Sequence, residues 1–440
     1  MGRFDDARDA IRAAMDETGT PGVAFGYASG DDAQHVEGFG VTSTENPLEV
    51  TPDTLFQIGS ITKTFTGTAA MVLVERGELD LDAPVRTYLP DLRLADEDVA
   101  SSVTTRHLLT HTGGWIGDYF DDFGAGDDAL ARMVASLATL PQLTPLGEVW
   151  SYNNAGFYLA GRVIEAITHT TYERAVQELL LDPLEMQNTF FFSEDVMTRR
   201  FAVGHHRSDE GPPPVARPWP IGRAHHAAGG LASSVRELLR WARFHVSDGE
   251  GVLSRASLDE MQRVQAQGGA IFEDVGITWS MRTRNGRRIV GHGGGTNGQI
   301  SIFAFLPHER AAYTVLTNHQ RGAEVILAVE RALGVGTPER EAIAVDDDEY
   351  VGRYTSALTD AELKREDSRL VLFMTPKGGF PKKDSPPVPA PPPAPVAFYE
   401  RDRLFVSEGP MKGGEAEFLR GPDDRIAWFR LGGRIMSRVE

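Results

Sequence analysis

The chain has 440 residues, more than one hydrophobic core usually serves, so two or more structural units are expected. Hydrophobic residues make up 41% and charged residues 24%, as in ordinary soluble domains; no apolar run approaches the roughly 20 residues that cross a bilayer, and the lack of cysteine excludes disulfides, a thiol nucleophile and cysteine-bound metal. A formal net charge of −19, from 63 acidic against 44 basic side chains, disfavours nucleic acid and anionic membranes as partners.

The N-terminus, MGRFDDARDAIRAAMDE, is acidic and amphipathic, with a helix expected over 4–17. It lacks an apolar signal segment, which gives a cytoplasmic expectation. VAFGYAS (23–29) and HVEGFG (35–40) read as a strand pair around the turn at 30–32. SITKTFTGTAAMVLVER (60–76) has helical composition, with Gly77 placed to close it, and a mostly helical, loop-rich stretch follows to about 200. AAGGLASSVRELLRWARF (227–244) supplies a turn, a capping serine and an amphipathic helix. RRIVGHGGG, QISIFAFLP and AAYTVLTN (287–318) read as three successive strands. Strands at both ends with helices between make an α+β domain over 1–337. An acidic linker is expected at 338–345, and short alternating runs such as RLVLFM, RLFVSE and IAWFRLG predict a small all-β, barrel-like domain over 346–440. Eight prolines within 381–395 predict an extended loop there. The C-terminal domain is expected to fold separately and either to limit access to a cleft or to mediate a homo-oligomer.

Three short elements can carry chemistry. Ser60 and Lys63 stand three apart at a helix start. They share a helix face, the helix N-terminus favours negative charge on a serine oxygen, and a lysine in an apolar surround can lose its proton. PLGEVWSYNNAGFYLAGRVIEAIT (145–168) runs from a polar loop into a helix. VGHGGGTNGQ (290–299) is a strand end with three successive glycines, which pack nothing unless another backbone must come close; a peptide-like substrate is one such backbone. His107 and His111 have the spacing of a zinc helix, but HLLTH lacks the intervening glutamate, so no metal is assigned. His205, His206, His225 and His226 read as polar loop residues, one of which could rim the cleft. PKGG (376–379) and MKGG (411–414) are set aside because they lie beyond the linker.

In this order, the three elements resemble the motifs of the serine β-lactamase and penicillin-binding-protein superfamily, in the branch of class C β-lactamases, D,D-carboxypeptidases, D-aminopeptidases and esterases. The matches are Ser60-Ile61-Thr62-Lys63, Tyr152-Asn153-Asn154 and His292-Gly293-Gly294, with flanks LFQIGSITKTFTG, GELDLDAPVRTYLP, TTRHLLTHTGG and GGLASSVRELLRW, over about residues 5–335. A second register, Ser151-x-Asn153, is also available; Tyr152 is taken because AGFYLAG falls where the family has a Gly-aromatic pair.

The resemblance implies a β-lactamase/transpeptidase-like antiparallel sheet flanked by helices, a helical subdomain, and a cleft between them. It implies acyl transfer through an acyl-enzyme: Ser60 as nucleophile, Lys63 and Tyr152 exchanging protons, and the N–H groups of Ser60 and Gly295 as oxyanion hole. Asn154, His292, Gly294 and Gly295 would contact substrate, Asn154 also orienting Lys63, and His111 would belong to a structural loop. No metal or organic cofactor is implied. Which of Lys63 and Tyr152 is the first base stays open. So does the substrate, a small molecule or peptide. Histidine in place of the third-motif lysine favours a peptidase, amidase or esterase over a β-lactamase, and a non-catalytic scaffold or sensor is a further alternative. His292 is expected to titrate near its ordinary pKa of about 6.5 and so to be partly neutral at pH 7.

Overall fold

The computed structural model describes residues 2–30, 33–208, 210–367 and 369–439. Two residues of the turn expected at 30–32, Asp31 and Asp32, lie outside them.

An eight-stranded antiparallel sheet forms the larger unit, in the order Gln34–Gly40, Gly22–Ala28, Ala311–Thr317, Gln299–Leu306, Arg287–Thr296, Ser280–Arg284, Asp274–Val275, Ala266–Gln267. Alternation along the strands gives it two apolar faces. Val23, Phe25, Tyr313 and Val315 face Ala7, Ile11, Val325 and Val329 of the Gly2–Thr18 and Gly322–Ala332 helices. Ala24, Ala312 and Leu316 fall in the core on the other side, with Leu238, Leu239 and Trp241 of the Val235–Val246 helix. Ser234 caps that helix by accepting from the Glu237 N–H.

The Thr62–Glu75 helix is buried over nearly its whole length, with Phe65 stacked on Trp241 at 4.0 Å between ring centroids. A helix sealed on all sides needs apolar or small residues all round, which is how TKTFTGTAAMVLVE reads. Gly77, at φ +72°, ends it.

The C-terminal unit is a closed antiparallel barrel of eight strands between Gly352 and Val439. Tyr350, Tyr354, Leu363, Leu372, Phe398, Leu404, Phe418 and Phe429 fill it. Two of its strands, Gly352–Thr355 and Thr359–Glu366, have no counterpart among the apolar runs of the sequence. One is very short, and TDAELKRE buries only Ala361 and Leu363 on alternate positions. Residues 338–345 run along the barrel: Ile343 donates its N–H to Phe398 O at 2.8 Å, and Arg340 pairs with Glu415 at 2.7 Å. Residues 385–393 form neither helix nor strand, and Pro395 already sits in the Ala394–Glu400 strand. Among the described residues no helix is long and apolar enough to cross a membrane.

Candidate active site

Ser60 sits in a 3₁₀ turn, Gly59–Ile61, that feeds directly into the Thr62–Glu75 helix. Lys63 follows on the same face and is fully buried. Its Nζ lies 3.2 Å from Ser60 Oγ, 2.7 Å from Asn154 Oδ1 and 2.7 Å from the Ala228 carbonyl. Burial drives its pKa well below the usual lysine value, Arg434 adding to the fall and Asp118 opposing it. The rings of Tyr152 and Phe157 face the same nitrogen at 4.8 and 5.3 Å.

The two asparagines of the second motif have different tasks. Asn153 caps the Asn154–Thr168 helix, its Oδ1 accepting from the Gly156 N–H at 2.7 Å and its Nδ2 donating to Trp115 O at 2.9 Å. Asn154 is the one that meets Lys63. Ser151 accepts from the Ile435 N–H through Oγ at 3.2 Å. The geometry therefore matches the register Tyr152-x-Asn154. The Tyr152 ring stacks on His111 at 4.5 Å, and His111 Nδ1 accepts the Asn153 N–H at 2.9 Å, so that histidine is occupied in shaping the loop. Burial raises the Tyr152 pKa, and the neighbouring Ser60 hydroxyl opposes the rise.

The third motif lies on the Arg287–Thr296 strand. That strand pairs with Gln299–Leu306 along 290–296, but its pairing with Ser280–Arg284 stops at Gly291. Among the described residues, 292–296 thus have a strand on one edge only. The expectation that the glycines clear space for a substrate backbone needs correction at Gly294. A Cβ there would collide with the Ile58 carbonyl and Ser301 Oγ, and one on Gly59 would come within 2.8 Å of Gly295 N. The chain that must approach is the protein's own, the turn bearing Ser60. Gly293 is freer: a methyl group added there would meet only Ser301 O, at 3.7 Å. This close packing sets the backbone of 59–60 beside that of 295, where the two expected oxyanion donors belong.

His292 also departs from expectation. It is 5% exposed, and burial, with Lys63 nearby, lowers its pKa to about 3 rather than leaving it near 6.5. It is neutral at pH 7. Its Nδ1 is 2.5 Å from Gly293 O, which can only accept, so the proton sits on Nδ1 and Nε2 keeps its lone pair.

The barrel contributes contacts that sequence reasoning did not assign. Its Gly432-Gly433 hairpin, with φ of +58° and +78°, presses against the second motif. Tyr152 donates its N–H to Gly433 O at 2.8 Å. Arg434 donates through Nε to Asp118 Oδ2 at 2.6 Å and through Nη2 to Asp118 Oδ1 at 3.3 Å. Asp118 Oδ1 accepts from Asn154 Nδ2 at 2.9 Å. The paired glycines signal a tight hairpin in the sequence, but nothing there says where its tip lands. The segment carrying Asp118 is held by the start of the proline-rich loop: Lys383 donates its N–H to Phe120 O and its Nζ pairs with Asp121, while Phe380 meets Phe120 edge-on at 5.1 Å.

Of the histidines expected as polar loop residues, His205, His225 and His226 are buried, His225 ending a 3₁₀ turn and His226 starting a short helix. His226 Nδ1 is 2.8 Å from Glu173, which also pairs with Arg223, just behind Ala228. His107 lies 2.9 Å from Thr104 through Nδ1, in the cap of the Thr105–Leu109 helix.

The family profile described as Beta-lactamase matches residues 7–335. Penicillin-binding protein 4 of Amycolatopsis lactamdurans is 33% identical over 329 residues, 72% of this chain and 86% of that protein. Esterase EstB of Burkholderia gladioli is 37% identical over 191 residues, 40% of this chain and 47% of its own length. The crystal structure of SurE with D-Leu superposes with a TM-score of 0.76 at 23% identity, covering 99% of each chain, so the fold is shared through the barrel. On the profile match, which spans the Ser60, Tyr152 and His292 motifs, and on the 33% identity, the chain belongs to the Beta-lactamase family of hydrolases.

Proposed function

We propose that the protein is a serine hydrolase that acts through an acyl-enzyme on amide or ester bonds, with D-amino-acid peptides and amides, or simple esters, as substrates. The observation that carries this is the set of partners around Lys63. Asn154 Oδ1 and Ala228 O can only accept, so they take two N–H bonds of the amine. In the neutral form, which burial favours, the remaining position is a lone pair, and it faces Ser60 Oγ. Lys63 is thus arranged to take the serine proton, while the Tyr152 phenol, whose pKa is raised, holds its own proton and can pass it to a leaving group.

Ser60 Oγ bonds to the substrate carbonyl carbon as its proton moves to Lys63, and the oxyanion is held by the Ser60 and Gly295 N–H groups. The carbonyl reforms, the bond to the amine or alcohol breaks, and that group leaves with a proton from Lys63 by way of Tyr152. Water then attacks the ester on Ser60, its proton passing to Lys63; the bond to Ser60 Oγ breaks, Lys63 returns the proton to that oxygen, and the acid leaves.

The open edge of 292–296 suits an extended, peptide-like substrate that adds as a strand. A neutral His292 supplies no fixed positive charge for a β-lactam carboxylate, which favours amides and esters. The D-amino-acid class follows from the resemblance of the motifs to D-aminopeptidases and D,D-carboxypeptidases. A fluorophosphonate or fluorescent penicillin should label the protein at Ser60, and a panel of D-amino-acid amides, short-chain esters and nitrocefin should give turnover of the first two groups. Preferred turnover of nitrocefin would make it a β-lactamase, and no label at Ser60 would make it a scaffold.

A further inference from the structure

We infer that Arg434, carried by the barrel, is a positioning residue for acylation: its guanidinium fixes the Asp118 carboxylate, and Asp118 fixes the Asn154 amide in the orientation that presents its oxygen to Lys63. The inference rests on the proposed role of Ser60 and Lys63.

An amide can turn over and exchange its oxygen and nitrogen, so something must choose. A carboxylate only accepts. With Asp118 Oδ1 2.9 Å from one end of the Asn154 amide, that end must be the NH₂ group, and the oxygen is left for Lys63 at 2.7 Å. Turned over, the amide would set oxygen against carboxylate and NH₂ against the lysine nitrogen. Asp118 is itself only 7% exposed, and a buried carboxylate needs a counter-charge. Arg434 supplies it with two bonds from one guanidinium, braced by the Gly432 carbonyl at 3.3 Å. Four side chains thus link a hairpin of the second domain to the nucleophile.

Charge gives this linkage a signature that packing alone would not. Lys63 is faced by Ser60, Asn154 and Tyr152, by His111 from the loop after the Thr105–Leu109 helix, by His292 from the sheet, and by Asp118 and Arg434, with Tyr158 beside Asp118. Behind Ala228 lie His226, Glu173 and Arg223. Burial keeps His111 and His292 neutral and the two tyrosines protonated near pH 7, and Glu173 is ionised, its pKa being about 2. Removing the Arg434 charge leaves Asp118 unbalanced beside Lys63, favours the ammonium, and takes the lone pair from Ser60.

The test uses the full chain and a small ester probe that acylates Ser60. For Arg434→Gln the acid limb of kcat/KM should move up by about one pH unit, a loss of about tenfold on the limb that is recovered at alkaline pH. Arg434→Lys should hold the limb near its wild-type position, and the double variant with Asp118→Asn should bring it back. An unmoved limb in Arg434→Gln overturns the inference, even if activity falls equally at every pH, as a merely structural role would give. Should Arg434→Gln fail to fold, Asp118→Asn alone decides: with the guanidinium intact and the carboxylate neutralised, the limb must move down, and no movement overturns the inference. Failure of the wild-type protein to acylate at Ser60 overturns the functional reading and this inference together.

Discussion

Asp118 and Arg434 lie 316 positions apart in the chain and 2.6 Å apart in space. One belongs to a loop of the larger domain and the other to a barrel hairpin, so the charge balance around Lys63 depends on both units.

Ser60→Ala is expected to abolish covalent labelling and turnover while leaving the melting temperature within a few degrees. The hydroxyl makes one 3.2 Å contact with Lys63 Nζ, which keeps its two shorter ones to Asn154 and Ala228. Mass spectrometry of the labelled protein checks it, and a retained label would remove Ser60 as the nucleophile.

Lys63→Met should lower kcat/KM by about 10²-fold or more at every pH. It should also change how stability depends on pH. Wild-type Lys63 has a depressed pKa when folded and an ordinary one of about 10.4 when unfolded, so between those values the unfolded chain binds more protons. Stability then rises with pH through that window, and the variant should lose this part of the slope in urea unfolding curves recorded from pH 6 upward.

For Tyr152→Phe the expected loss is again about 10²-fold, but with the acid limb unmoved, because Lys63 and not the phenol sets it. A limb that disappears with the hydroxyl would assign the titration to Tyr152.

His292→Gln should leave the pH dependence of kcat/KM between about 6 and 7.5 as it is, since a histidine with a pKa of about 3 does not titrate there. Its effect belongs to acid unfolding. The neutral buried ring contributes stability fully above about pH 6.5, and this is lost as pH falls toward about 3 because the unfolded chain takes up the proton first. Acid unfolding of the variant should be shallower over that range.

Gly294→Ala and Gly293→Ala make a paired test of which glycine the fold requires. The first sets a methyl against the Ile58 carbonyl and Ser301 Oγ, and should cost about 1–3 kcal/mol and separate the strand from the Ser60 turn. The second meets only ordinary contact, so its thermal melt should stay close to wild type. Equal losses from both would mean the close approach at Gly294 is not what the sequence protects.

Much of the site was legible in the chain because its chemistry is local or periodic. Ser60 and Lys63 share a face through helix geometry, the three strands after 287 announce themselves by alternation, and the second motif reads as a polar loop leading into a helix. The resemblance of three motifs led to the Beta-lactamase family and its fold. Tertiary structure decided the rest. Burial, which no spacing encodes, makes His292 neutral and depresses Lys63. Gly294 is glycine because the Ile58 backbone arrives from more than 200 residues away. Asp118 reads as one acid in an acidic loop and Arg434 as one cation on a barrel strand; only folding brings them together, because an ion pair depends on distance in space, and sequence separation says nothing of that.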